Sequence, residues 1–295
     1  MPATFPIIES KHNARVKRLR AALKANESVD GLVALEGEHL LLEALRSGLE
    51  LATVFVRAGR EGLLRKLPLD WSAQTVVLGE DVFLSATATD NPQGIAALVR
   101  PPKFVREDLL GTKTPPEECA NAGALVLVAA GVQDPGNLGT LIRSAEAFGA
   151  AGVLALPGTV SAWNQKALRA SAGSTFRLPV VAGTIDDLRW LGSNGVELLA
   201  ATMDGGATAS EIDLQGAVAL IIGNEGAGLS SELLALADRH ITIPCPGPVE
   251  SLNAAVAGSL LLYEAARQRS TSCATIRRES TASASATASA SNNLK

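Results

Sequence analysis

Residues 124–150 read ALVLVAAGVQDPGNLGTLIRSAEAFGA, a continuous apolar run that passes through a turn into a helical pattern. The Asp-Pro-Gly sequence at 134–136 predicts the turn, and apolar residues recur at helical intervals over 138–148. We therefore expect a helix that starts near Asn137. Continuous apolar runs of this kind are typical of parallel strands that are covered on both faces. The stretch predicts an α/β fold.

Further apolar runs continue this pattern toward the C-terminus. They are GVLAL at 152–156, VELLAAT at 196–202 and AVALIIG at 217–223. We predict one α/β domain with a mostly parallel sheet over 121–270. Residues 271–295 are rich in Ser, Thr and Ala, and they have too few bulky apolar side chains to offset the entropy of ordering. A disordered tail is predicted there.

A smaller α/β domain is predicted over residues 1–102. Its strand-like runs are LATVFVR at 51–57, TVVLG at 75–79 and GIAALVR at 94–100. The stretch VALEGEHLLLEALRSG at 33–48 has apolar spacing near 3.6, which predicts a helix ending at Gly48. Residues 103–120 carry mixed charge between Pro pairs without sustained periodicity, so they are predicted to be a linker.

The composition limits the chemistry that the chain can perform. A net charge of −4 gives no general attraction to polyanions, so such a partner must meet a local patch. The N-terminal basic segment supplies one, with Lys11, Arg15, Lys17, Arg18 and Arg20. The three cysteines and three histidines are dispersed, and they predict neither a disulfide framework nor a metal site. No apolar run is long enough to span a bilayer and no signal peptide is evident, so we expect a cytoplasmic protein.

Asn137 and Arg143 follow the first apolar strand of the larger domain. Asn137 is expected at the carboxyl end of that strand, where open α/β sheets bind their ligands. Arg143 lies off the apolar stripe of the helix and is free to reach a phosphate. The sequence leaves open the alternative that Asn137 is a helix cap and Arg143 a solvated surface residue.

The stretch IIGNEGAGLS at 221–230 contains three glycines, which allow a tight turn and close approach of a ligand. Its spacing is G-x-x-G-x-G, which differs from the dinucleotide-binding G-x-G-x-x-G, and the chain contains no G-x-x-x-x-G-K-[ST]. A nucleotide-dependent oxidoreductase or a P-loop ATPase is therefore unsupported. Glu225 in this turn either orients a ligand hydroxyl or faces water.

The stretch IPCPGPVESLN at 243–253 has three prolines at alternate positions. Proline lacks a backbone donor and fixes φ, so the stretch predicts a stiff loop that is rich in free carbonyls. Such a loop suits adenine, whose exocyclic amine can donate to a backbone carbonyl. Ser251 is predicted to cap the small-residue helix that follows. A well-capped buried helix explains the small residues but not Asn253 or the prolines.

Together, the motifs N-x-G-x-x-x-R (137–143), G-N-E-G-x-G-L (223–229) and I-P-x-x-G-x-x-x-S-L-N (243–253) resemble those of the SpoU, or TrmH, family of RNA ribose 2′-O-methyltransferases in order and spacing. The segment at 164–180 also looks like the one that links the first two motifs in that family. The resemblance covers residues 121–270 almost completely, and residues 1–102 look like the L30e-like RNA-binding domain often fused to such enzymes.

The resemblance implies a SPOUT fold, in which the C-terminal part of the sheet is tied into a deep trefoil knot, and a homodimer formed through the C-terminal domain. It also implies S-adenosyl-L-methionine as the cofactor. The implied cofactor-binding residues are Gly223, Ile243, Leu252, Thr202, Pro244 and Gly247. The implied catalytic residues are Arg143, Asn137, Glu225, Ser251 and Asn253.

Two roles are open for Arg143, which the resemblance places near the ribose 2′-hydroxyl. It either removes the proton of that hydroxyl or clamps the neighbouring phosphate and stabilises the developing alkoxide. A guanidinium stays protonated in proteins, which weighs against the base role.

The RNA partner is expected to be ribosomal, since compact transfer-RNA enzymes of the family usually lack the N-terminal domain. Aromatic residues make up 3% of the chain, which favours recognition of folded RNA through its shape and backbone over base stacking. The N-terminal basic segment is the expected phosphate contact, with a solvated helix face as its alternative. Transfer-RNA methylation and a non-catalytic RNA-binding module of the same fold are the alternative functions.

Overall fold

The computed structural model describes residues 6–68, 74–87, 92–111, 123–248 and 251–270. Half of the predicted linker, 112–120, and the whole of the predicted tail lie outside these residues. The chain forms two compact units. The first contains the residues up to Phe104 together with Gln133–Arg143 and Val160–Pro179, and the second contains Val105–Val132, Ser144–Thr159 and the residues from Val180 onward.

The first unit contains a five-stranded sheet in the order β1-β4-β3-β5-β2. The strands are β1 (Ile7–Ile8), β2 (Val33–Glu36), β3 (Leu51–Arg57), β4 (Gln74–Leu78) and β5 (Ile95–Val99). Strands β1, β4 and β3 are parallel, whereas β5 is antiparallel to both β3 and β2. The helices are α1 (Ala14–Ala25), α2 (Glu38–Arg46), α3 (Glu80–Ala86) and a 3-10 helix at Glu61–Lys66.

Both faces of this sheet are covered. On one face, α1 and α3 bury Leu19, Leu23 and Phe83 against the strands. On the other, α2 packs together with Leu168 and Phe176 from the later segment of the unit. That segment contains α5 (Gln165–Ser171) and a 3-10 helix at Ser174–Phe176. Burial of apolar side chains on both faces explains why the strands are apolar throughout.

The prediction of one helix over 33–48 is wrong in its first four residues. Val33–Glu36 forms β2, which pairs antiparallel with β5, and the helix begins at Glu38. Gly37 separates the two elements, because its φ of 101° lies outside the helical region. All four residues of β2 are buried, so their apolar pattern is the same as that of a buried helical turn.

The second sheet has seven strands in the order β10-β12-β9-β11-β6-β7-β8, and every pairing within it is parallel. The strands are β6 (Leu125–Ala130), β7 (Gly152–Leu156), β8 (Val180–Ala182), β9 (Glu197–Ala201), β10 (Ala207–Thr208), β11 (Val218–Ile222) and β12 (Arg239–Thr242). The helices are α4 (Pro135–Ala147), α6 (Ile185–Ser193), α7 (Ser231–Leu236), α8 (254–270) and a 3-10 helix at Arg106–Leu110. The predicted α/β class with a mostly parallel sheet and a smaller N-terminal α/β sheet is confirmed.

The chain crosses over earlier strands in the C-terminal part of the second sheet. Strand β11 lies between β6 and β9, and β12 lies between β9 and β10, so each is inserted between two strands that precede it in the chain. These crossings occur in the segment for which the family resemblance implies a knot. They also bring the carboxyl ends of β12, β9, β11 and β6 side by side.

The C-terminal helix α8 is fixed to the second unit at its far end. The Arg269 guanidinium donates hydrogen bonds to the carbonyl oxygens of Leu214, Gly123 and Gly216 at 2.9, 2.7 and 2.6 Å. Burial lowers the pKa of Arg269, but the group keeps its charge and offsets the desolvation by these three bonds. Among the described residues, no helix has both the length and the apolar character that crossing a membrane requires.

Candidate active site

Three of the predicted cofactor-binding residues come together at the carboxyl edge of the second sheet. Ile243, Thr202 and Gly223 directly follow β12, β9 and β11, which are neighbours in that order. In the strand ladders Ala201 pairs with Ile241, and Ala200 pairs with Ile221. Thr202 therefore lies in the middle of the three, at the position where parallel α/β sheets bind ligands.

The Thr202 hydroxyl is a buried polar group. Its Oγ1 is inaccessible to solvent and makes no hydrogen bond to any residue in the described part of the chain. The Thr202 backbone N–H donates to the Ile241 carbonyl at 3.0 Å, and the Thr242 hydroxyl donates to the Met203 carbonyl at 2.9 Å. Contacts from β12 thus fix the loop, while the Thr202 hydroxyl, at the centre of the edge, is a buried polar group without a hydrogen-bond partner among the described residues.

Gly223 begins a closed turn that runs to Gly228. Asn224 and Gly228 exchange two backbone hydrogen bonds of 3.0 Å each. A Cβ at Gly223 would lie 2.6 Å from the carbonyl carbon of Gly228, so this position excludes a side chain unless the turn opens. Glu225 is exposed within the turn. The geometry of the turn therefore explains why residue 223 is a glycine.

Residues 243–248 form an irregular loop after β12, and 244–248 are exposed. Pro244 and Gly247, predicted to bind the cofactor, lie on it. The Cys245 thiol contacts the Ile243 carbonyl at 3.4 Å. After residues 249–250, which lie outside the described part, Ser251 is exposed and Leu252 is half-buried.

Asn253, not Ser251, caps helix α8. The Asn253 Oδ1 accepts hydrogen bonds from the backbone N–H groups of Ala255 and Val256 at 2.9 and 3.3 Å. The predicted cap at Ser251 is wrong because the helix begins only at residue 254, two positions later than a Ser251 cap requires. The structure therefore gives Asn253 a structural role that the sequence did not predict.

Helix α4 carries Asn137 and Arg143, both within the first compact unit. Its first turn is capped by Asp134, whose Oδ1 accepts from the Asn137 backbone N–H at 3.0 Å. Lys166, at 2.8 Å, is the main cause of the lowered pKa of Asp134, followed by the Asn137 N–H. Asn137 is half-buried, and Arg143 is exposed without an ion pair to any described residue.

Gly139, the glycine of the first motif, allows two helices to pack closely within the first unit. A Cβ there would overlap the Ala167 carbonyl oxygen, so glycine allows α4 and α5 to approach closely. The predicted alternative in which Asn137 is the helix cap does not hold, because Asp134 occupies that role.

The N-terminal basic residues divide into two groups. Lys11, Arg15 and Lys17 are exposed, and no ion pair joins them to the described residues; we call them the N-terminal cation cluster. Arg18 lies 3.6 Å from Asp30. Arg20 donates to the Ser85 carbonyl and hydroxyl at 3.0 Å each, so it joins α1 to α3.

Two polar residues at the carboxyl edge, Asn224 and Thr159, have roles that the sequence did not predict. The Asn224 Nδ2 donates to the Gly131 carbonyl at 2.8 Å, and the Thr159 hydroxyl accepts from the Gly131 N–H at 2.9 Å. Asn224 lies inside a recognised motif, which could have drawn attention to it. Thr159 lies outside the motifs, and its role depends on the strand register. The described residues contain no group of His, Cys, Asp or Glu placed to hold a metal ion.

Comparison with known proteins gives concordant results. A family model described as the SpoU rRNA Methylase family matches residues 124–263, and one described as an MRM3-like substrate binding domain matches residues 13–97. The chain is 36% identical to the 23S rRNA (guanosine(2553)-2'-O)-methyltransferase RlmP of Bacillus subtilis over 87% of this chain and 97% of that protein.

Two solved structures are similar over nearly their whole length. The SpoU methyltransferase AviRb from Streptomyces viridochromogenes, in complex with AdoMet, is 27% identical with a TM-score of 0.74, over 88% of this chain and 98% of that chain. An AdoMet-bound rRNA methyltransferase from Sinorhizobium meliloti is 29% identical with a TM-score of 0.74, over 89% and 98%. The chain belongs to the SpoU rRNA methylase family.

Proposed function

We propose that this protein transfers a methyl group from S-adenosylmethionine to a ribose 2′-hydroxyl of 23S ribosomal RNA. The observation that carries the proposal is the convergence of the Gly223 turn, Thr202 and the loop at 243–248 at one sheet edge, in a chain of this family. The similarity to RlmP, whose substrate is 23S rRNA, supports the choice of RNA. The cytoplasm is the compartment proposed for this activity.

The residues of this edge fit the methyl donor. The buried Thr202 hydroxyl offers one hydrogen bond to the nucleoside, and the proline-rich loop offers backbone carbonyls that can accept from the adenine amine. Ile243 and Leu252 add half-buried apolar surface, and Pro244 and Gly247 shape the loop. When bound, the donor supplies a methyl group on a positively charged sulfur.

The protein's task is to place and activate a weak nucleophile. Methyl transfer would form a bond between the ribose O2′ and the methyl carbon while the carbon–sulfur bond breaks and leaves its electron pair on sulfur, and the hydroxyl proton would pass to water. We assign Arg143 to the phosphate beside the reacting ribose, where its permanent charge stabilises the alkoxide as it develops. Asn137, Glu225, Ser251 and Asn253 are proposed to orient the ribose and the loops around it.

RNA binding is assigned to the N-terminal cation cluster. Its three exposed charges can neutralise phosphates without first breaking an ion pair in the described protein. Arg18 and Arg20 are proposed to contribute less, because Asp30 and Ser85 already hold their guanidinium groups.

A homodimer is proposed to form through helix α8. Its side chains Val256, Leu260 and Tyr263 are 47%, 44% and 52% exposed, and their spacing puts them on one helical stripe. Light scattering on the purified protein should give twice the chain mass, and Leu260→Asp should give the monomer mass. A monomeric wild type would contradict this part of the proposal.

The activity is tested with purified protein, labelled S-adenosylmethionine and two RNA pools, namely 23S ribosomal RNA and bulk transfer RNA. The expected product is a 2′-O-methylated nucleoside that is released by nuclease digestion of the ribosomal RNA. Methylation of transfer RNA alone would support the transfer-RNA function. RNA binding without cofactor binding would support a non-catalytic binding module.

A further inference from the structure

The side chain of Asn224 joins two loops at the carboxyl edge of the second sheet. Its Oδ1 accepts from the backbone N–H groups of Gly226 and Ala227 at 2.9 Å each, which fixes the shape of the turn after β11. Its Nδ2 donates to the Gly131 carbonyl at 2.8 Å, in the loop after β6. One amide therefore fixes both the turn and its position relative to the neighbouring loop.

The Thr159 side chain binds the other backbone polar group of Gly131. Its hydroxyl donates to the Ala129 carbonyl at 2.8 Å and accepts from the Gly131 N–H at 2.9 Å. Both backbone polar groups of Gly131 are thus bound by side chains from loops that follow other strands. Gly131 has a φ of 75°. Because glycine can adopt many other backbone conformations, these hydrogen bonds select this one.

Gly131 precedes the first residue of α4, Pro135, by four positions. The segment 131–134 leads directly into α4, which carries Asn137 and Arg143. We propose that Asn224 and Thr159 are positioning residues for methyl transfer, which act by fixing this segment without touching RNA or cofactor. The inference rests on the proposed function, and it adds two residues to the machinery of the reaction.

Three variants of the full-length protein test the inference. Asn224→Asp keeps the oxygen that organises the turn but removes the donor to Gly131. Thr159→Val removes the hydroxyl at nearly constant volume, and Thr159→Ser is the matched control that retains it. Since small displacements of reacting groups cost about 100-fold in rate, we expect Asn224→Asp and Thr159→Val to lower kcat about 10- to 100-fold. Thr159→Ser should stay within about threefold of wild type, and the Kd for S-adenosylmethionine should stay within about twofold in all three variants.

Amide hydrogen exchange gives a readout that does not require turnover. In Asn224→Asp and Thr159→Val, exchange over 131–138 should accelerate while β6 and β11 keep their wild-type protection. If wild-type protein shows no methyl transfer, the proposed function fails, and the exchange data still decide whether these side chains fix the segment.

Four outcomes would overturn the inference. One is wild-type kcat in both variants, and another is wild-type exchange over 131–138. The third is an equal loss of kcat in Thr159→Val and Thr159→Ser, which would show that the hydroxyl is not the group responsible. A fall in cofactor affinity as large as the fall in kcat would instead place the two residues in the cofactor pocket, and it would also refute the positioning role.

Discussion

Replacing Thr202 by valine should weaken cofactor binding without destabilising the free protein. The substitution keeps the branched shape at the centre of the carboxyl edge and removes the hydroxyl. That hydroxyl is buried and has no hydrogen-bond partner among the described residues, so the free protein bears its desolvation cost. The Thr202 hydroxyl would gain a hydrogen bond when a nucleoside enters the site, whereas a valine side chain cannot form one.

The magnitude follows from the strength of one neutral hydrogen bond. Such a bond contributes about 1 kcal/mol net, which corresponds to an approximately fivefold increase in the Kd of S-adenosylmethionine. The free protein should keep its melting temperature or gain up to about 2 °C, because an unsatisfied group has been removed. Isothermal titration calorimetry and thermal unfolding of the free protein measure the two quantities.

Thr242→Val is the matched control, since the Thr242 hydroxyl already donates to the Met203 carbonyl at 2.9 Å. That variant should destabilise the free protein by about 0.5 kcal/mol, because it removes a hydrogen bond whose exposed carbonyl can still accept from water. The reasoning about Thr202 is refuted if Thr202→Val behaves like this control, with a lower melting temperature and unchanged cofactor affinity.

Three further predictions concern Arg143, Arg269 and the N-terminal cation cluster. Arg143→Ala should lower kcat about 100- to 1,000-fold with cofactor affinity unchanged, whereas unchanged turnover would exclude both the base and the clamp roles. Arg269→Met should lower the free energy of unfolding by about 2–4 kcal/mol in a denaturant titration, because two half-buried carbonyls and one exposed carbonyl lose their charged donor. Arg239→Met is its control, because that surface pair at 3.7 Å from Glu197 should contribute under about 1 kcal/mol. Replacing all three residues of the N-terminal cation cluster by glutamine should weaken RNA binding. It should also lower the number of counterions released on binding by up to about three. An unchanged slope of the logarithm of RNA affinity against the logarithm of salt concentration would show that the cluster is a solvated helix face.

The sequence predicted the central strands of both sheets because their apolar runs reflect burial on both faces. Strand β2 was assigned to a helix, since four consecutive buried residues carry no period and the decisive Gly37 conformation depends on pairing with β5. The short strands β8, β10 and β12 were not predicted. The sequence of β12, Arg-His-Ile-Thr, has one buried position, and it becomes a strand by pairing with β9.

The candidate site was predictable where single residues carry the signal and not where several loops must meet. Gly223 and the prolines identify their turn and loop by local chemistry. The caps were not predictable, because Asp134 and Asn253 differ from the neighbouring polar residues only in where each helix begins. The Thr202 hydroxyl has no partner in the described part of the chain, and this feature, like the Asn224–Gly131–Thr159 contacts, depends on the register of neighbouring strands, which the sequence does not state.

A map of ribose methylation across 23S ribosomal RNA, made from cells with and without this protein, would show whether this chain methylates that RNA. The account predicts one 2′-O-methylated nucleotide that disappears with the protein and returns when the wild-type chain, but not Arg143→Ala, is supplied. An identical methylation map in both cell types, obtained with the protein expressed and folded, would contradict it.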